Sequence, residues 1–367
     1  MLFSIQIVIF TNMIKFEYKV IGAMSGTSLD GLDIIYATYS FSDKWTFEIL
    51  YYETVSYSKK WKTTLNNLVN VSEAELKKTD HLYSEFLGET IKDFIYRNKI
   101  SDIDFVSSHG HTALHQPENG MTYQIGNQPI LADIVQQKII CDFRVQDVEY
   151  GGQGAPLVPI GDRLLFYNYD YCLNLGGFAN ISFENNTKRI AYDICPVNIV
   201  LNYYVSKLGL DYDNKGEIAS TGTIHKDLLA KLNHLSFYTE QPPKSLGLEW
   251  VKKEVFPLIN NCNLTTEDVL RTFVEHVAIQ ISTNLLKENT KVLVTGGGVY
   301  NTFLIERLKQ LSKSEIFCPK NEIIEFKEAL IFGLLGVLKD RNDVNCLKSV
   351  TGASVNHSSG KILTPHF

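Results

Sequence analysis

The sequence predicts an α/β protein built from two duplicated α/β domains. Two observations support this class: strand and helix patterns alternate along the chain, and the order of the first half begins again after residue 160. The length of 367 residues also favours two domains over one. We place the N-terminal domain at residues 1–165 and the C-terminal domain at 166–339. We expect the tail, residues 340–367, to return to the first domain.

The first half opens with three strands, because short apolar segments rich in β-branched and aromatic residues lie between turn residues. A long segment with apolar residues at helical spacing follows, and it predicts a helix. Two further strands, a short helix and a last strand complete this half. The expected strands are 18–24, 32–40, 45–57, 103–110, 120–126 and 138–143, and the expected helices are 72–98 and 129–137.

The second half begins as the first does, with strand, glycine-rich turn and strand in "YCLNLGGFANISFE", residues 171–184. Apolar residues three or four positions apart then predict a series of helices, which one strand interrupts. The expected helices are 197–209, 226–235, 266–286, 301–311 and 327–340, and the expected strand is 291–298. The repeated order indicates an internal duplication.

Composition excludes several classes of protein. The net charge of −6 and the lack of a basic stripe argue against nucleic acid as a partner. Six cysteines without a CxxC pair indicate reduced thiols in a cytoplasmic protein, not a disulfide framework or a zinc site. We expect no membrane partner, since no apolar run is long enough to span one. The oligomeric state stays open, and a homodimer is compatible with the sequence.

The N-terminal segment has an apolar run but lacks the basic region and the small-residue cleavage site of a signal peptide. Met13 stands just before the first clear strand. We therefore expect residues 1–12 to be a disordered extension or the product of a misplaced start.

The turn "MSGTSLDGLD", residues 24–33, is the first candidate site. It is neither a Rossmann fingerprint nor a P-loop, because it leads to a strand and lacks Gly-Lys-Ser/Thr. Glycines let the backbone approach a ligand, consecutive N–H groups bind anions, and carboxylates beside a phosphate suit Mg²⁺ held through water. A plain tight turn is the alternative. The candidate ATP-binding residues are Gly26, Thr27, Ser28, Asp30, Gly31 and Asp33, of which the two aspartates would act through Mg²⁺ because they cannot bind phosphate directly.

Two more glycine turns repeat this arrangement. "NLGGFANIS" joins two strands and carries Gly176, Gly177 and Asn180. "VTGGGVYN" places Gly296, Gly297 and Gly298 between a strand and a helix, where helix N-terminal amides are accessible. Three such turns at strand ends predict the nucleotide cleft of the actin, sugar kinase and Hsp70-like fold, with ATP phosphates between the two hairpins and the nucleoside near the third turn.

The segment "DFRVQDVEYGGQGAPLVP", residues 142–159, has so many glycines that we expect its backbone to be moulded around a ligand. Asp147 is a candidate general base, because sugar phosphorylation needs a carboxylate near the attacking oxygen. A surface or capping aspartate is the alternative. Arg144, Gly152, Gln153 and Gly154 accompany it as candidate substrate contacts.

Two histidines in "SSHGHTALHQP" are the remaining candidates from this half. His109 and His111 would share a face on a continuous strand, which raises the hypothesis of a metal hydrolase. Gly110 between them favours a turn instead. We interpret both histidines as polar contacts to the substrate, with structural histidines and metal ligands as alternatives.

Taken together, these motifs resemble those of the anhydro-N-acetylmuramic acid kinases of bacterial peptidoglycan recycling. The resemblance covers residues 20–365 and includes "PPKSLGLEW" and "VTGASVNHSSGKILTP". It implies an ATP- and Mg²⁺-dependent kinase that opens the 1,6-anhydro bridge of the sugar with water. The freed 6-oxygen would be phosphorylated, giving N-acetylmuramic acid 6-phosphate.

The resemblance also implies roles for individual residues. Asp147 would take a proton from the water that attacks the anomeric carbon, and residues 26–33 would surround the ATP phosphates. Glu328 would lie on the sugar side of the cleft, although a surface carboxylate on a helix is the alternative. Asp193 is retained and, with Asp30, would hold Mg²⁺ through water.

Three positions depart from the family pattern. His111 stands where the family usually has Gln, Cys195 occupies a glycine position, and Asn127 replaces an acidic residue. These changes leave the preferred sugar more open than the type of reaction. A kinase acting on another sugar and a nucleotide- and sugar-binding sensor without catalysis are the competing hypotheses, and retention of Asp147 favours an enzyme.

Overall fold

The computed structural model describes residues 15–26 and 28–366. The expectation for residues 1–12 concerns a segment outside them. The strands are β1 (Glu17–Ser25), β2 (Gly31–Phe41), β3 (Trp45–Ser56), β4 (Phe105–Ser108), β5 (His111–Gln116), β6 (Met121–Ile125), β7 (Ile139–Cys141), β8 (Tyr171–Leu175), β9 (Phe178–Asn185), β10 (Lys188–Pro196), β11 (Lys291–Thr295), β12 (Glu315–Phe317) and β13 (Lys361–Leu363).

The helices connect and cover these strands. They are α1 (Lys59–Asn66), α2 (Glu73–Arg97), α3 (Ile130–Val135), α4 (Val145–Glu149), α5 (Val158–Leu165), α6 (Asn198–Val205), α7 (Glu217–Thr221), α8 (Lys226–Asn233), α9 (Leu248–Trp250), α10 (Phe256–Asn260), α11 (Thr266–Asn284), α12 (Thr302–Leu311), α13 (Asn321–Asp340) and α14 (Lys348–Thr351). Helix α2 illustrates why they form: Ser72 caps its N-terminus by accepting from Glu75 N–H, and Arg97 lies at its C-terminal end.

The two main sheets share one topology. The first has the order β13-β7-β4-β1-β2-β3 and the second has the order β10-β9-β8-β11-β12. In each sheet the first three strands in sequence are antiparallel, and the first strand then pairs in parallel with the fourth. The fourth pairs in parallel with the fifth. This repetition confirms the predicted duplication.

Helix α13 is the main contact between the first sheet and the second half of the chain. The sequence predicted its start at residue 327, but it begins six residues earlier, at Asn321. Three glycines bring it close to the sheet, because a Cβ at Gly22 would lie 2.3 Å from Ala329 O. A Cβ at Gly333 would lie 2.1 Å from Tyr39 Oη, and one at Gly336 would lie 2.5 Å from Ser107 Oγ.

Buried charges tie α13 to the second sheet. Lys327 Nζ lies 3.1 Å from Asp162 Oδ1 on α5, and both side chains are buried. Asp162 Oδ2 accepts from Ser182 Oγ at 2.5 Å, and Arg189 donates to the same hydroxyl. A buried carboxylate needs such partners to offset its desolvation. This network therefore links helices α5 and α13 to strands β9 and β10.

The tail contacts the first sheet, where β13 pairs with β7. The division into residues 1–165 and 166–339 remains a proposal, and α13 contacts strands of both sheets. Within the described residues, no helix is long and apolar enough to cross a membrane.

Several elements were absent from the sequence prediction. Strand β10 was not predicted because its basic first residues, Lys188 and Arg189, mask the alternation of Ile190, Tyr192 and Ile194. Strands β12 and β13 have three residues each, too few for a periodic signal. Helices α1, α5 and α14 are also short.

The contact at Gly333 gives a testable prediction. We expect Gly333→Ala to destabilise the protein by about 1–3 kcal/mol through overpacking, although alanine in a helix would otherwise stabilise it by about 1 kcal/mol. Denaturant unfolding measures the difference. Tyr39→Phe removes the hydroxyl that the new Cβ would meet, so the double variant should lose less stability than the sum of the single changes. Strict additivity would contradict close packing at this contact.

Candidate active site

The first glycine turn lies between β1 and β2. Leu29 has a φ of 59°, and its N–H donates to Gly26 O at 3.4 Å. A Cβ at Gly31 would lie 2.6 Å from Val55 O on β3, so this position requires glycine. Ser28 and Asp30 are exposed and available to a ligand. The predicted phosphate contact Thr27 lies outside the described residues.

The second turn is a two-residue hairpin at Gly176 and Gly177, between β8 and β9. Gly177 O accepts from Val197 N–H at 2.8 Å, which anchors the turn to the start of α6. Asn180 was grouped with this turn, but it lies on β9, where it pairs with Asn174 and Asp193. Its side chain is exposed.

The third turn packs against the second. Gly296 has a φ of 83°, and a Cβ there would lie 2.6 Å from Asn174 Oδ1. A Cβ at Gly298 would lie 2.7 Å from Leu175 Cβ, whereas nothing lies within 4 Å of one at Gly297. The fold therefore brings the second and third glycine turns together and leaves Gly297 open.

Carboxylates on α13 lie between the third turn and the first. Tyr300 Oη in the third turn donates to Glu325 Oε1 at 2.6 Å. Burial raises the pKa of Asp33 to about 6, against a hydrogen bond from Thr54, and the charges of Glu328 and Glu325 raise it further. The first turn, α13 and the third turn therefore border one acidic region.

Glu328 is solvent-accessible, although the protein around it limits its hydration. This desolvation raises its pKa, and the positive charges of Lys327 and Arg144 oppose the shift. Glu328 is therefore a carboxylate in a cleft, not one on an open helix surface.

Asp147 is buried at the other side of Arg144. Its Oδ2 accepts from Gly154 N–H at 2.8 Å, and its Oδ1 accepts from Thr351 Oγ1 at 2.8 Å. A Cβ at Gly152 would lie 2.2 Å from Oδ2, so glycine is required beside the carboxylate. Gln153 N–H donates to Thr351 O, while the Gln153 side chain is exposed. The glycine-rich loop is thus moulded around Asp147, and Gln153 faces solvent.

Arg144 connects the loop to His109. Its Nε donates to His109 Nε2 at 2.9 Å, and its Nη1 donates to Gly154 O at 2.7 Å. The His109 ring lies 4.5 Å from that of Phe332, four residues after Glu328 on α13. Burial lowers the pKa of His109 well below its usual value, and Arg144 adds to the shift. The neutral ring therefore accepts at Nε2 and donates from Nδ1 to Gly110 O.

His111 belongs to a different network, because Gly110 has a φ of 68° and turns the chain between the two histidines. Its Nδ1 lies 2.8 Å from Ser25 Oγ, which also accepts from Tyr57 Oη at 2.7 Å. Among the described residues, the group able to hold a metal ion contains neither His109 nor His111. The metal-hydrolase alternative therefore finds no support at these histidines.

The two aspartates predicted to hold a cation lie on separate elements. Asp30 is in the first turn, and Asp193 is on β10, where Leu246 N–H donates to its Oδ2 at 2.8 Å. Burial raises the pKa of Asp193, against this hydrogen bond. The neighbouring Cys195 is fully buried.

The sequence prediction missed residues of the tail that reach Asp147. Thr351 bonds to it across 204 positions, and His357 Nε2 lies 3.6 Å from Oδ1. "VTGASVNHSSGKILTP" marked the tail as a motif, but no spacing in it points to Asp147.

A six-stranded and a five-stranded sheet that repeat one strand topology, with glycine turns at their strand ends, define a protein of the actin, sugar kinase and Hsp70-like class. The chain belongs to the anhydro-N-acetylmuramic acid kinase family, whose description matches residues 18–365. It is 31% identical to the anhydro-N-acetylmuramic acid kinase of Sulfurimonas denitrificans, over 91% of this chain and 96% of that one. It is 32% identical to that of Pasteurella multocida, over 93% and 96%.

A solved structure with similarity to the chain is that of (R)-2-hydroxyglutaryl-CoA dehydratase component A from Acidaminococcus fermentans. Its TM-score is 0.44 at 15% identity, over 86% of this chain and 96% of that one. This likeness is too low to bear on the activity.

The buried His111 gives a prediction about acid stability. Burial lowers its pKa to about 4, whereas an unfolded chain has a histidine pKa of about 6.5. The unfolded state therefore binds a proton first, and stability is lost as the pH falls from about 6.5 to about 4. His111→Gln, which restores the usual family residue, should reduce this loss of unfolding free energy by roughly 3 kcal/mol at most.

Unfolding free energies of both proteins between pH 7.5 and pH 4 measure the difference. We expect the variant to become more stable relative to the wild type as the pH falls. A constant difference over the whole range would contradict a neutral, buried His111.

Proposed function

We propose that this protein is an ATP-dependent kinase that opens 1,6-anhydro-N-acetylmuramic acid with water and phosphorylates it to N-acetylmuramic acid 6-phosphate. The observation that carries the proposal is membership of the anhydro-N-acetylmuramic acid kinase family over residues 18–365. The retained Asp147 on α4, beside a loop that requires glycine at position 152, supports catalysis over binding alone. The reaction belongs to the recycling of peptidoglycan.

On the nucleotide side, we propose that the first two glycine turns hold the ATP phosphates. The exposed Ser28 and the backbone at Gly26 and Gly177 offer donors to the phosphates. The contact between the second and third turns, through Leu175 and Gly298, supports a nucleoside position beside Gly297.

Carboxylate oxygens are the ligands that Mg²⁺ prefers. The hydrogen bond from Leu246 N–H orients the Asp193 carboxylate, which suits a role as a Mg²⁺ ligand. Asp30 and Asp193 would therefore hold the ion through water. An ion held there would supply positive charge against the charge that develops on the phosphates during transfer. The acidic region of Asp33, Glu325 and Glu328 would otherwise repel ATP.

On the sugar side, we propose that His109, His111, Arg144, Gly152, Gln153, Gly154 and Glu328 surround the substrate. Two buried acceptors, Gln124 Oε1 and Asn127 Oδ1, have no hydrogen-bond partner among the described residues. A buried acceptor without a donor is destabilising. Sugar hydroxyls or an acetamido N–H are donors that would satisfy them.

In the proposed mechanism, Asp147 accepts a proton from water as the water oxygen bonds to the anomeric carbon. The bond from that carbon to the 6-oxygen breaks, and the 6-oxygen takes the γ-phosphoryl group, so that ADP leaves. Asp147 then returns its proton to solvent. Because the resting carboxylate is shielded, the loop of residues 150–154 has to expose it. Gly151 and Gly154 have positive φ angles and provide backbone freedom there.

A cytoplasmic location, where ATP is available, and assembly as a homodimer complete the proposal. Neither depends on the chemistry of the site. Mass determination of the purified protein in solution tests the second.

The fate of water tests the reaction. In ¹⁸O-labelled water we expect the label at the anomeric carbon of the product and none in the phosphate ester, as read by mass spectrometry of rapidly quenched samples. Unlabelled product incubated in the same water for the same time corrects for exchange at the reducing end. Label found in inorganic phosphate alone would identify an ATPase and refute the coupled reaction.

The base is tested by Asp147→Asn. Asparagine can still accept from Gly154 N–H and can donate to Thr351 Oγ1, so we expect an intact fold and nearly unchanged ATP binding. Turnover should fall by about 10²–10⁴-fold, the usual loss of a general base. Steady-state kinetics and nucleotide titration measure the two effects.

Asp142→Asn is the matched control. Asp142 is a neighbouring buried aspartate with a φ of 60°, which asparagine tolerates, and its carboxylate pairs with Lys361. We expect this variant to retain most turnover. If Asp147→Asn keeps more than about a tenth of the activity and Glu328→Gln does not, the base is Glu328.

A further inference from the structure

A second set of potential ligands surrounds the far side of the Asp147 carboxylate. Asp147, Cys346 and His357 each place one potential ligand atom within 4.8 Å of the other two, and all three residues are buried. They come from α4 and from two parts of the tail, which the bridge between Cys346 and His357 holds together. The anhydro-sugar chemistry proposed above uses neither the thiol nor the imidazole.

The imidazole of His357 points to a missing ligand. Its Nδ1 lies 3.1 Å from Val355 O, a contact that requires a proton on Nδ1. In the neutral ring Nε2 then carries a lone pair, and it has no hydrogen-bond partner among the described residues although the residue is only 7% exposed. Asp147 Oδ1, at 3.6 Å, offers another lone pair. Two acceptors that face each other in a buried site are satisfied by a cation between them.

The donor set selects the cation. Nitrogen, thiolate and carboxylate ligands together are typical of Zn²⁺, whereas Mg²⁺ prefers oxygen alone. Bond lengths of about 2.0–2.3 Å place two ligand atoms of a tetrahedral zinc about 3.3–3.8 Å apart. The distance of 3.6 Å from His357 Nε2 to Asp147 Oδ1 fits this range. Three protein ligands leave the fourth position to water.

We propose that Asp147, Cys346 and His357 form a Zn²⁺ site and that zinc bound there withdraws Asp147 from catalysis. The Zn–S bond forms as the thiol proton leaves to solvent. Zn²⁺ on Oδ1 withdraws electron density from the whole carboxylate, so Oδ2 also becomes a weaker proton acceptor. The site itself is independent of the proposed function, while the inhibition rests on Asp147 as the base.

Burial holds the thiol protonated in the absence of a metal, because desolvation and the nearby charge of Asp147 raise the pKa of Cys346 to about 12. A metal ion stabilises the thiolate and reverses this preference. The half-exposed Tyr150 covers His357, with 4.9 Å between the ring centroids, and an ion would enter beside it. The adjoining Gly151 and Gly352 have positive φ angles, and a Cβ at either position would meet no atom within 4 Å. This rim therefore has room to open.

Cobalt is the probe for the site, because a Co²⁺–thiolate bond gives a charge-transfer absorption band. Chelator-treated wild-type protein should bind one Co²⁺ per chain with this band, and Zn²⁺ should displace it. Cys346→Ser should abolish the band, and His357→Ala should weaken Co²⁺ binding at least tenfold. Cys318→Ser, at a half-buried thiol elsewhere, is the control and should behave as wild type. Circular dichroism verifies that each variant is folded.

Turnover at buffered free Zn²⁺ and constant Mg²⁺ tests the inhibition. The activity of the wild type and of Cys318→Ser should fall as Zn²⁺ fills the site and return when chelator is added. The Cys346→Ser variant should keep its activity at the same Zn²⁺ concentrations. A wild-type protein without the band, or a band that survives Cys346→Ser, overturns the site. Turnover that persists with one bound Zn²⁺ overturns the inhibition. If Asp147→Asn proves fully active, the base assignment fails, and the cobalt spectrum still decides the site.

Discussion

Close packing of helix α13 on the first sheet is the constraint on which the candidate site depends. Glycines at positions 22, 333 and 336 leave no space for a side chain between helix and strands. Tyr39 and Ser107 then donate to helix carbonyls at Leu330 and Phe332. These contacts fix the rotation of the helix as well as its distance from the sheet. Its rotation decides which residues face the cleft, because neighbouring helical positions point about 100° apart.

Lys327 and Glu328 show the consequence of that rotation. Lys327 points into the protein and pairs with Asp162, whereas Glu328 keeps solvent contact. Glu325, one turn earlier, reaches Tyr300 of the third glycine turn. The cleft therefore collects Asp30, Asp33, Glu325 and Glu328 where an anionic nucleotide is proposed. Burial is the main cause of the raised pKa of Asp33, and the negative charges of Glu328, Glu325 and Asp30 raise it further. A divalent cation would offset this negative charge in the proposed complex.

The fold class was predictable from the sequence because its signals are local. Helical spacing located α2 to within one residue at each end, and glycine turns at strand ends indicated the two hairpins. The arrangement around Asp147 was not predictable, since its hydroxyl donor comes from Thr351, 204 positions away. The same holds for His111 at the start of β5, whose partner Ser25 lies at the end of β1. A single sequence does not show that these two strand ends approach each other. Local sequence patterns predict helices and strands. Which donor reaches which carboxylate is determined by tertiary packing.

The hydrogen bonds of Asp147 determine what its glycine-rich loop has to do in the proposed reaction. Both carboxylate oxygens accept hydrogen bonds, and bonds to a charged group stabilise it by about 1.5–3 kcal/mol each. A carboxylate held in this way is ordered but shielded from water, so the proposed reaction has to break or redirect at least one bond. The donor most easily moved is Gly154 N–H, because residues 150–154 include positive-φ glycines and the Arg144 contact is made by the Gly154 carbonyl. A sugar that draws Arg144 toward itself would pull the loop and release Oδ2. Substrate binding and exposure of the base would then be one event, which limits proton transfer from water to Asp147 when no sugar is present.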